Sequence, residues 1–375
     1  MKTQPDIVIC GNYGASNLGD EAILESIIHT VRSVSPCARI IVLSSNPVET
    51  AHTHDVKSVP LIPAGVRSFF RNLFGPGLRE TIKAIKNCDV YIFGGGGLFT
   101  DEKPYAMFIW SIQVFAAFLF RKPVFCYGQS IGPLMSFWSR RRVRKIFRRM
   151  DFISVRDDAS KKILENLSIK NIRRLPDPAF SLHVMQKGNA PRENFVAFSI
   201  RQWGDNEALL HELAKFINWL HDEHRINSVL IPFQSRSDND SVPLGKILSY
   251  VWYPNFVRLE PYTSNYHQVM DVFLRARAVV GMRLHSIIFS ALAATPFIAL
   301  SYSRKVAEVS GQLGMDDFTV PYREISFPVL KAKFEKMLLH EKELKKMITF
   351  RCDSLKHEAT EYRGCLKDFL SSLND

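Results

Sequence analysis

The sequence predicts an α/β protein with two doubly wound, Rossmann-like domains that face each other across a crevice. The chain has 375 residues, more than the roughly 250–300 residues at which one hydrophobic core stops growing. Short β-branched runs alternate with amphipathic stretches, which is typical of parallel strands joined by crossover helices. This alternation pauses at a polar segment containing Gly, Asn and Pro, residues 181–194, and then restarts.

The first domain is predicted to span residues 1–185, and a linker is predicted at residues 186–194. The strand candidates of this domain are short, apolar and rich in β-branched residues. They are Asp6–Cys10, Arg39–Leu43, Asp89–Phe93, Pro123–Tyr127, Phe152–Val155 and Ile172–Leu175. The helix candidates between them are Glu21–Arg32, Tyr105–Phe120 and Phe137–Arg149.

The second domain is predicted to span residues 195–330, and residues 331–375 are predicted to form a charged helical segment. The strand candidates are Phe195–Ile200, Ser228–Ile231, Ala278–Gly281 and Phe297–Leu300, and the helix candidates are Glu207–Asp222, Tyr266–Arg275 and Leu284–Ala294. Parallel sheets bind ligands beyond the carboxyl ends of their strands. We therefore expect the active site in the crevice between the two sheets.

The composition is that of an ordinary globular protein, with 46% hydrophobic and 23% charged residues, which excludes a disordered or fibrous chain. The net charge of +12 predicts an anionic partner. Six scattered cysteines without a CxxC or a Cys/His cluster indicate neither a disulfide framework nor a zinc site, so we expect a cytoplasmic protein. The first residues do not resemble a signal peptide, and the most apolar stretch, residues 105–120, is too short to span a bilayer.

A glycine-rich loop, Gly11–Leu24, follows the first strand and includes Gly14 and Asn17 before a predicted helix start. Glycines allow a backbone to approach a ligand closely, and a helix N-terminus favours anions. Asp20 is either an N-cap or, with Glu21, a carboxylate that orients or deprotonates a sugar hydroxyl. The sequence leaves both interpretations open.

Two further glycine-rich loops are predicted after strands of the first domain. Four glycines in succession are hard to justify by packing, because each costs chain entropy, so a ligand or another backbone is expected to approach them. Tight turns alone are the alternative. The first loop contains Gly94, Gly95, Gly96 and Gly97, and the second, residues 127–134, contains Gln129 and Ser130.

Basic side chains are predicted at the carboxyl ends of three strands. Arg156 directly follows Phe152–Val155 and suits a carboxylate or phosphate, unless it pairs with a local Asp. Asp177 is interpreted as a capping or solvent residue. In the second domain, Arg283 and His285 lie at a loop-to-helix junction, and Lys305 begins the helix after the next strand. A histidine among these cations suits a functional site.

Six segments in this order resemble the polysaccharide pyruvyl transferase family, over roughly residues 7–306. They are GNYGASNLGDEAIL, FGGGGLFTD, GQSIGPL, SVRDDAS, GMRLHS and YSRKV. The chain looks most like bacterial cell-wall-polymer pyruvyltransferases. This resemblance implies a GT-B-like fold and transfer of pyruvate from phosphoenolpyruvate to a sugar, such as N-acetylmannosamine of a lipid-linked precursor, as a ketal.

The resemblance also implies roles for individual residues. It places the donor-binding arginine at Arg156, the histidine at His285 and the lysine at Lys305, with Arg283 as a fourth donor-binding residue. His285 is the expected acid. Phosphoenolpyruvate is a donor substrate, and no motif requires a metal or a cofactor. The alternatives are a GT-B glycosyltransferase with a nucleotide-sugar donor and a non-catalytic module that binds an anionic ligand.

The stretch Phe137–Arg149 begins with two aromatic residues, Phe137 and Trp138, and contains seven Lys or Arg. On a helix this pattern predicts peripheral contact with anionic lipid at the inner face of the cell membrane. A solvated helix face is the alternative. A nucleic-acid partner is not expected, because no recognised nucleic-acid-binding motif accompanies the charge.

Overall fold

Two parallel sheets form the framework of the protein. The structure is a computed structural model, and it describes residues 4–64, 76–102, 105–182, 192–204, 207–236 and 238–373. The strands of the first sheet are β1 Asp6–Cys10, β2 Arg39–Ser44, β3 Lys57–Pro60, β4 Val90–Phe93, β5 Gly96–Phe99, β6 Val124–Ile131, β7 Phe152–Val155 and β8 Ile172–Arg174. The strands of the second are β9 Phe195–Ser199, β10 Asn227–Leu230, β11 Val257–Leu259, β12 Ala278–Gly281, β13 Phe297–Ser301 and β14 Thr319–Pro321.

Helices connect these strands in the alternating order that parallel sheets require. In the described residues they are α1 Leu18–Val34, α2 Pro47–His54, α3 Pro76–Asn87, α4 Ala106–Leu119, α5 Phe137–Phe147, α6 Asp158–Asn166, α7 Glu207–His224, α8 Ser241–Tyr250, α9 Tyr266–Arg275, α10 Leu284–Leu292, α11 Arg304–Gln312, α12 Phe327–Leu339, α13 Glu341–Ala359 and α14 Glu361–Ser372. Short 3-10 turns occupy Pro178–Ser181, Pro254–Phe256, Asp316–Phe318 and Tyr322–Glu324.

Each sheet reverses its strand order at one point. The first sheet runs β3-β2-β1-β4-β6-β7-β8, and β5 pairs with β6 beside it. The second runs β11-β10-β9-β12-β13-β14. In the first sheet, the connection after β1 leads toward one edge of the sheet and the connection after β4 leads toward the other edge. The connections after β9 and β12 diverge in the same way in the second sheet. Such switch points open space for a ligand at the carboxyl ends of the strands.

The chain divides into two units that differ from the predicted domains at the boundaries. The first unit comprises the described residues up to Leu182, except Ser16–Gly19, together with those from His357 onward. The second comprises Ser16–Gly19 and the described residues that follow Leu182, up to Lys356. The predicted helical segment 331–375 is thus shared between the units, and most of the predicted linker 186–194 lies outside the described residues.

The first sheet is covered on both faces. Alternate residues of β1 point to opposite sides, so Val8 packs with α3, α4 and α5 while Ile9 packs with α1 and α14. Helix α14 contributes Tyr362, whose ring stacks on Tyr127 with 4.2 Å between ring centroids. In the second unit, the rings of Phe198 on β9 and Phe216 on α7 pack edge to face, with 6.2 Å between ring centroids. Both sheets are therefore the buried centres of their units.

The predicted fold class is confirmed as α/β with two parallel, Rossmann-like sheets, but two predicted loops are strands. Gly96 and Gly97 lie on β5, and Gln129 and Ser130 lie on β6 rather than in loops. The physical reason is that β5 pairs with the extended end of β6, with Gly96 opposite Gln129. This non-local pairing satisfies the backbone where local composition alone indicates a loop.

Candidate functional site

A buried carboxylate of α1 holds the loop after β1 within the first unit. The Gly14 N–H donates to Oε1 of Glu21 at 2.8 Å, and Oε2 of Glu21 lies 3.1 Å from Nε2 of His54. Nδ1 of His54 lies 2.8 Å from Glu25. Burial lowers the pKa of His54, but hydrogen bonds to Glu21 and Glu25 outweigh it and raise that pKa to about 9. Glu21 thus pairs with a protonated histidine at neutral pH and fixes the loop.

Asp20 lies in the first turn of α1, two residues after the helix begins, and is therefore not its N-cap. Its Oδ2 accepts a hydrogen bond from Nδ2 of Asn12 at 2.7 Å. Gly96 has a φ of +112°, and a Cβ at that position would lie 3.3 Å from Oδ1 of Asp20. The loops after β1 and β4 consequently meet at the switch point of the first sheet, with a carboxylate between them.

Packing accounts for two of the four consecutive glycines, contrary to the expectation that it would not. A Cβ at Gly94 would overlap the hydroxyl of Tyr13, and one at Gly95 would lie 2.9 Å from Ile23. Both partners come from the neighbouring loop and helix, so the sequence around the glycines does not reveal them. Gly97 is exposed and has no atom within 4 Å of a Cβ position.

Arg156 is held in a buried network at the carboxyl end of β7. Nε of Arg156 donates to Ser130 Oγ at 2.8 Å, and Nη1 donates to Asp177. Ser130 donates in turn to Asp157 at 2.6 Å. Asp177 is only 3% exposed and caps the turn at Pro178, so it is a capping residue as predicted but not a solvent residue. The side-chain amide of Gln129 donates from its Nε2 to the Gly94 carbonyl.

Acidic groups dominate the surroundings of Arg156. Burial lowers the pKa of the guanidinium, and the charges of Asp177, Asp157 and Asp20 outweigh burial and raise it. The sequence left open whether Arg156 binds an anionic ligand or pairs with an Asp of the chain, and the structure shows that it pairs with Asp177. Two of the N–H groups of Arg156 are used in this network, and a guanidinium has five. The remaining donors are available for a directed contact.

In the second unit, Ser16–Gly19 pair with the segment after β10. The Leu18 N–H donates to the Phe233 carbonyl at 2.9 Å, and Asn17 forms an antiparallel bridge with Gln234. Oδ1 of Asn17 also accepts from the Gly19 N–H at 3.1 Å. A Cβ at Gly19 would overlap the ring of His285. Gly19 is therefore required for the backbone to lie against this half-buried histidine.

Arg283 precedes α10 and forms a buried ion pair, and its Nη2 also donates to the Asp238 carbonyl at 3.1 Å. Its Nε lies 3.1 Å from Asp240 Oδ2, and Nη2 contacts Oδ1 of the same carboxylate. Asp240 also accepts from the N–H groups of Phe233 and Gln234 at 3.0 and 3.1 Å. Burial raises the pKa of Asp240 although Arg283 opposes the shift. The pair fixes the loop between β10 and α8 against the start of α10.

A cluster around Tyr302 was not predicted from the sequence. Nη1 of Arg201 donates to the Tyr302 hydroxyl at 3.0 Å, and its guanidinium lies 5.2 Å from the ring centroid of Trp203. Burial acts to raise the pKa of Tyr302, but the charges of Lys305, Arg201 and Arg283 outweigh it, so the net shift is downward. Positive charge therefore converges here. A usable signal was present, because Arg201 follows a strand closely, as Arg156 does.

The structure thus brings Arg283, His285 and Lys305 to the carboxyl ends of β12 and β13, with Arg201 beyond β9. It places Gly14, Asp20, Glu21, Gly94 and Arg156 at the corresponding edge of the first sheet. Within the described residues, no cluster of three His, Cys, Asp or Glu side chains has the geometry of a metal site. No helix in the described part of the chain has the length and hydropathy to cross a membrane.

Known proteins resemble this chain both in sequence and in fold. A family model described as polysaccharide pyruvyl transferase matches residues 17–304. The amylovoran biosynthesis protein AmsJ of Erwinia amylovora is 23% identical over 91% of this chain and 94% of its own. The MnaA–UDP structure from S. aureus has a TM-score of 0.64, with 12% identity over 99% and 98% of the two chains. The UDP-GlcNAc 2-epimerase of Neisseria meningitidis bound to UDP-GlcNAc has a TM-score of 0.63, with 9% identity over 97% and 99%.

Proposed function

The chain belongs to the polysaccharide pyruvyl transferase family, and from this premise we propose that it moves the pyruvyl group of phosphoenolpyruvate onto a sugar of a cell-envelope polysaccharide or lipid-linked precursor. The product is a pyruvate ketal, and phosphate is released. The observation that carries this proposal is the group of cations beyond the carboxyl ends of β9, β12 and β13, where Arg201 contacts Tyr302 and Arg283 and Lys305 follow the neighbouring strands. A relative named for amylovoran biosynthesis supports a biosynthetic role.

The charge of the donor matches the cations of the second unit. Phosphoenolpyruvate carries close to three negative charges, and charge-assisted hydrogen bonds from Arg and Lys are the strongest available to it. Arg283 is already paired with Asp240, so it positions the start of α10 and offers its remaining N–H groups. Lys305 supplies additional charge, and Arg201, which is paired with Asp238 at 3.1 Å, offers its remaining N–H groups. Arg156 contributes directed N–H groups of a guanidinium that Asp177 holds in place.

His285 is proposed to protonate the methylene carbon of the donor. Protonation turns the methylene into a methyl group and leaves an oxocarbenium-like centre, which one sugar hydroxyl attacks with loss of its proton. A second hydroxyl then displaces phosphate, and its proton leaves with the phosphate, so that the ketal closes and the charges balance. Imidazole is the side chain that most often transfers protons in enzymes, which suits His285 to this step. Gly19 fixes the ring by packing against it.

Asp20 is proposed to bind and activate the sugar hydroxyl, and Glu21 to support it by holding the loop after β1. The Asp20 carboxylate lies between two glycine-rich segments and has Asn12 as a neighbour. A carboxylate in this position can accept a hydrogen bond from a hydroxyl and take up its proton.

Phosphate release tests this proposal directly. The purified protein is incubated with phosphoenolpyruvate and a panel of glycan and lipid-linked saccharides, with UDP-N-acetylglucosamine in parallel as a nucleotide-sugar donor. Acceptor-dependent phosphate release with a mass gain of one pyruvate ketal supports the proposal. Release of UDP with no consumption of phosphoenolpyruvate contradicts it and favours a glycosyltransferase, while binding of phosphoenolpyruvate without turnover on any acceptor favours a binding module.

A further inference from the structure

Helix α5 buries one face and presents mainly cations on the other. Val143, Ile146 and Phe147 are buried in the core of the first unit, and Ser139 is buried and donates to Asp101. No Asp or Glu occurs between residues 135 and 150. The exposed cations of α5 and the turn after it are Arg140, Arg141, Arg142, Arg144, Lys145, Arg148 and Arg149. Helix α5 therefore carries a strip of positive charge with no acidic residue in its own sequence to neutralise it.

Large apolar side chains lie exposed at the start of this strip. Met135, Phe137 and Trp138 are 70%, 69% and 73% exposed, and the two rings contact each other with centroids 5.6 Å apart. The backbone beneath them is anchored, because Asp101 accepts from the N–H groups of Met135 and Ser136 at 2.7 and 3.0 Å. These side chains are thus presented to solvent by a fixed backbone, which costs free energy unless something covers them.

Helix α4 extends the apolar part of the surface. Phe108 and Leu119 are 44% and 76% exposed, and Ile112 and Phe115 between them are half-buried. These four residues follow helical spacing and form one stripe. Lys145 lies 5.6 Å from the ring centroid of Phe115, which joins the stripe to the cations. We call the stripe, the cations of α5 and the residues Met135–Trp138 the α4–α5 surface.

We propose that the α4–α5 surface docks on an anionic lipid bilayer. Its apolar side chains enter the boundary between headgroups and acyl chains, and the cations contact lipid phosphates. A two-fold dimer through this face is disfavoured, because it would place the cations of one copy against the same cations of the other. A nucleic acid would pair with the cations but leave Phe108 and Leu119 uncovered. The proposal is independent of the proposed function.

Vesicle sedimentation tests the proposal on the full chain. The protein is mixed with phosphatidylcholine vesicles that contain or lack 30% phosphatidylglycerol, at low salt and at high salt. Two variants change the surface: one removes four of its positive charges, and the other removes two of its exposed aromatic side chains. A control variant removes four positive charges elsewhere on the protein. The surface variants are R141Q/R142Q/R144Q/R148Q and F137A/W138A, and the control is K342Q/K346Q/R363Q/K367Q, all of whose positions are exposed.

We expect the wild type and the control to bind anionic vesicles within about threefold of each other, and the α5 charge variant to bind at least tenfold more weakly. F137A/W138A should lose the binding that persists at high salt. Circular dichroism shows whether each variant is folded, and sedimentation velocity without vesicles reports self-association. Equal binding by the charge variant and the control overturns the proposal, as does a lack of binding to anionic vesicles or a dimer that F137A/W138A dissociates.

Discussion

The two arginines singled out at strand ends meet similar partners in surroundings of opposite charge. Arg156 in the first unit pairs with Asp177, and Arg283 in the second pairs with Asp240, and all four side chains are buried. Beyond this shared pair, Arg156 faces two more carboxylates, Asp157 and Asp20. Arg283 instead lies in a group with Arg201 and Lys305 that lowers the pKa of Tyr302, and in this group Arg201 is paired with Asp238.

This difference shows that an arginine at a strand end is not by itself an anion site. A buried ion pair has little net charge, so its neighbours decide which ligand it favours. We therefore expect the basic group of the second unit to dominate binding of the anionic donor. The carboxylates of the first unit are better suited to sugar hydroxyls, which they can hold as hydrogen-bond acceptors.

Breaking either buried pair should cost the most stability. Arg156→Met and Arg283→Met each leave a buried carboxylate without its partner, and such changes cost about 3–5 kcal/mol. The double variants Arg156→Met/Asp177→Leu and Arg283→Met/Asp240→Leu should recover part of that loss. Urea denaturation measures the free energies. A cost below about 1 kcal/mol for either single variant would show that the pair is not buried as described.

Replacing His285 should have the largest effect on turnover. His285→Gln removes the proposed proton donor, so turnover should fall about 10²- to 10⁴-fold while phosphoenolpyruvate still binds. Phosphate release and isothermal titration separate these effects. His52→Gln, at an exposed position of α2, is the matched control and should retain normal turnover. Near-normal turnover of His285→Gln would remove that residue from the proton-transfer step.

Neutralising the cations of the second unit should weaken donor binding. Lys305→Gln and Arg201→Gln each remove a hydrogen bond to a charged group, worth about 1.5–3 kcal/mol, so the Kd for phosphoenolpyruvate should rise about 10- to 100-fold. Arg304→Gln is the control, because its side chain is 78% exposed and pairs with Glu308. If Arg304→Gln weakens binding as much as Lys305→Gln, the effect is long-range attraction rather than a site.

Asp20→Asn tests the role proposed for the carboxylates of the first unit, which is to hold the sugar acceptor rather than the anionic donor. We expect kcat/KM for the sugar acceptor to fall by about tenfold to a hundredfold, because the amide cannot take up the hydroxyl proton. The Kd for phosphoenolpyruvate should stay within about twofold. Acceptor titrations at saturating donor measure the first quantity, and a large rise in the donor Kd would contradict the proposed division of roles.

The last prediction concerns His54 and the pH dependence of stability. Because its pKa is raised from 6.5 to about 9, the paired, protonated His54 stabilises the first unit fully below pH 6.5. This contribution, on the order of 3 kcal/mol, should be lost as the pH rises from 6.5 through 9. His54→Gln should flatten that part of the pH profile in urea denaturation, and His52→Gln should not. An unchanged profile for His54→Gln would contradict the pairing with Glu21 and Glu25.

The local sequence pattern was sufficient to predict the strands inside the sheets, but it was not sufficient to predict strands at the sheet edges. The predicted bounds of Phe152–Val155, Ala278–Gly281 and the helix Tyr266–Arg275 match the structure, because buried runs and amphipathic spacing are local signals. The strands Lys57–Pro60 and Thr319–Pro321 were missed. Both are short and include proline, and only pairing with a distant strand makes them strands.

The site shows the same limit. Strand ends located Arg156, Arg283, His285 and Lys305, but not the aspartates that pair with the arginines. Asp177 is 21 residues from Arg156 and Asp240 is 43 residues from Arg283, and folding alone brings them together. The glycine run was explained only in part, because the backbone of Tyr127 and Gly128 approaches Gly95 as expected, whereas Tyr13 fills the space beside Gly94 from another loop.

The stacking of Tyr127 on Tyr362 has a consequence for the order in which the protein forms during synthesis. The hydroxyl of Tyr362 donates to the carbonyl of Pro176, a residue 186 positions earlier, and α14 covers one face of the first sheet. The first unit is translated early but lacks this cover until α14 leaves the ribosome. Domains otherwise fold from the N-terminus onward as they emerge. Here the described residues of the second unit end at Lys356, before α14, so the part of the first sheet that α14 covers beside α1 is the last to be buried.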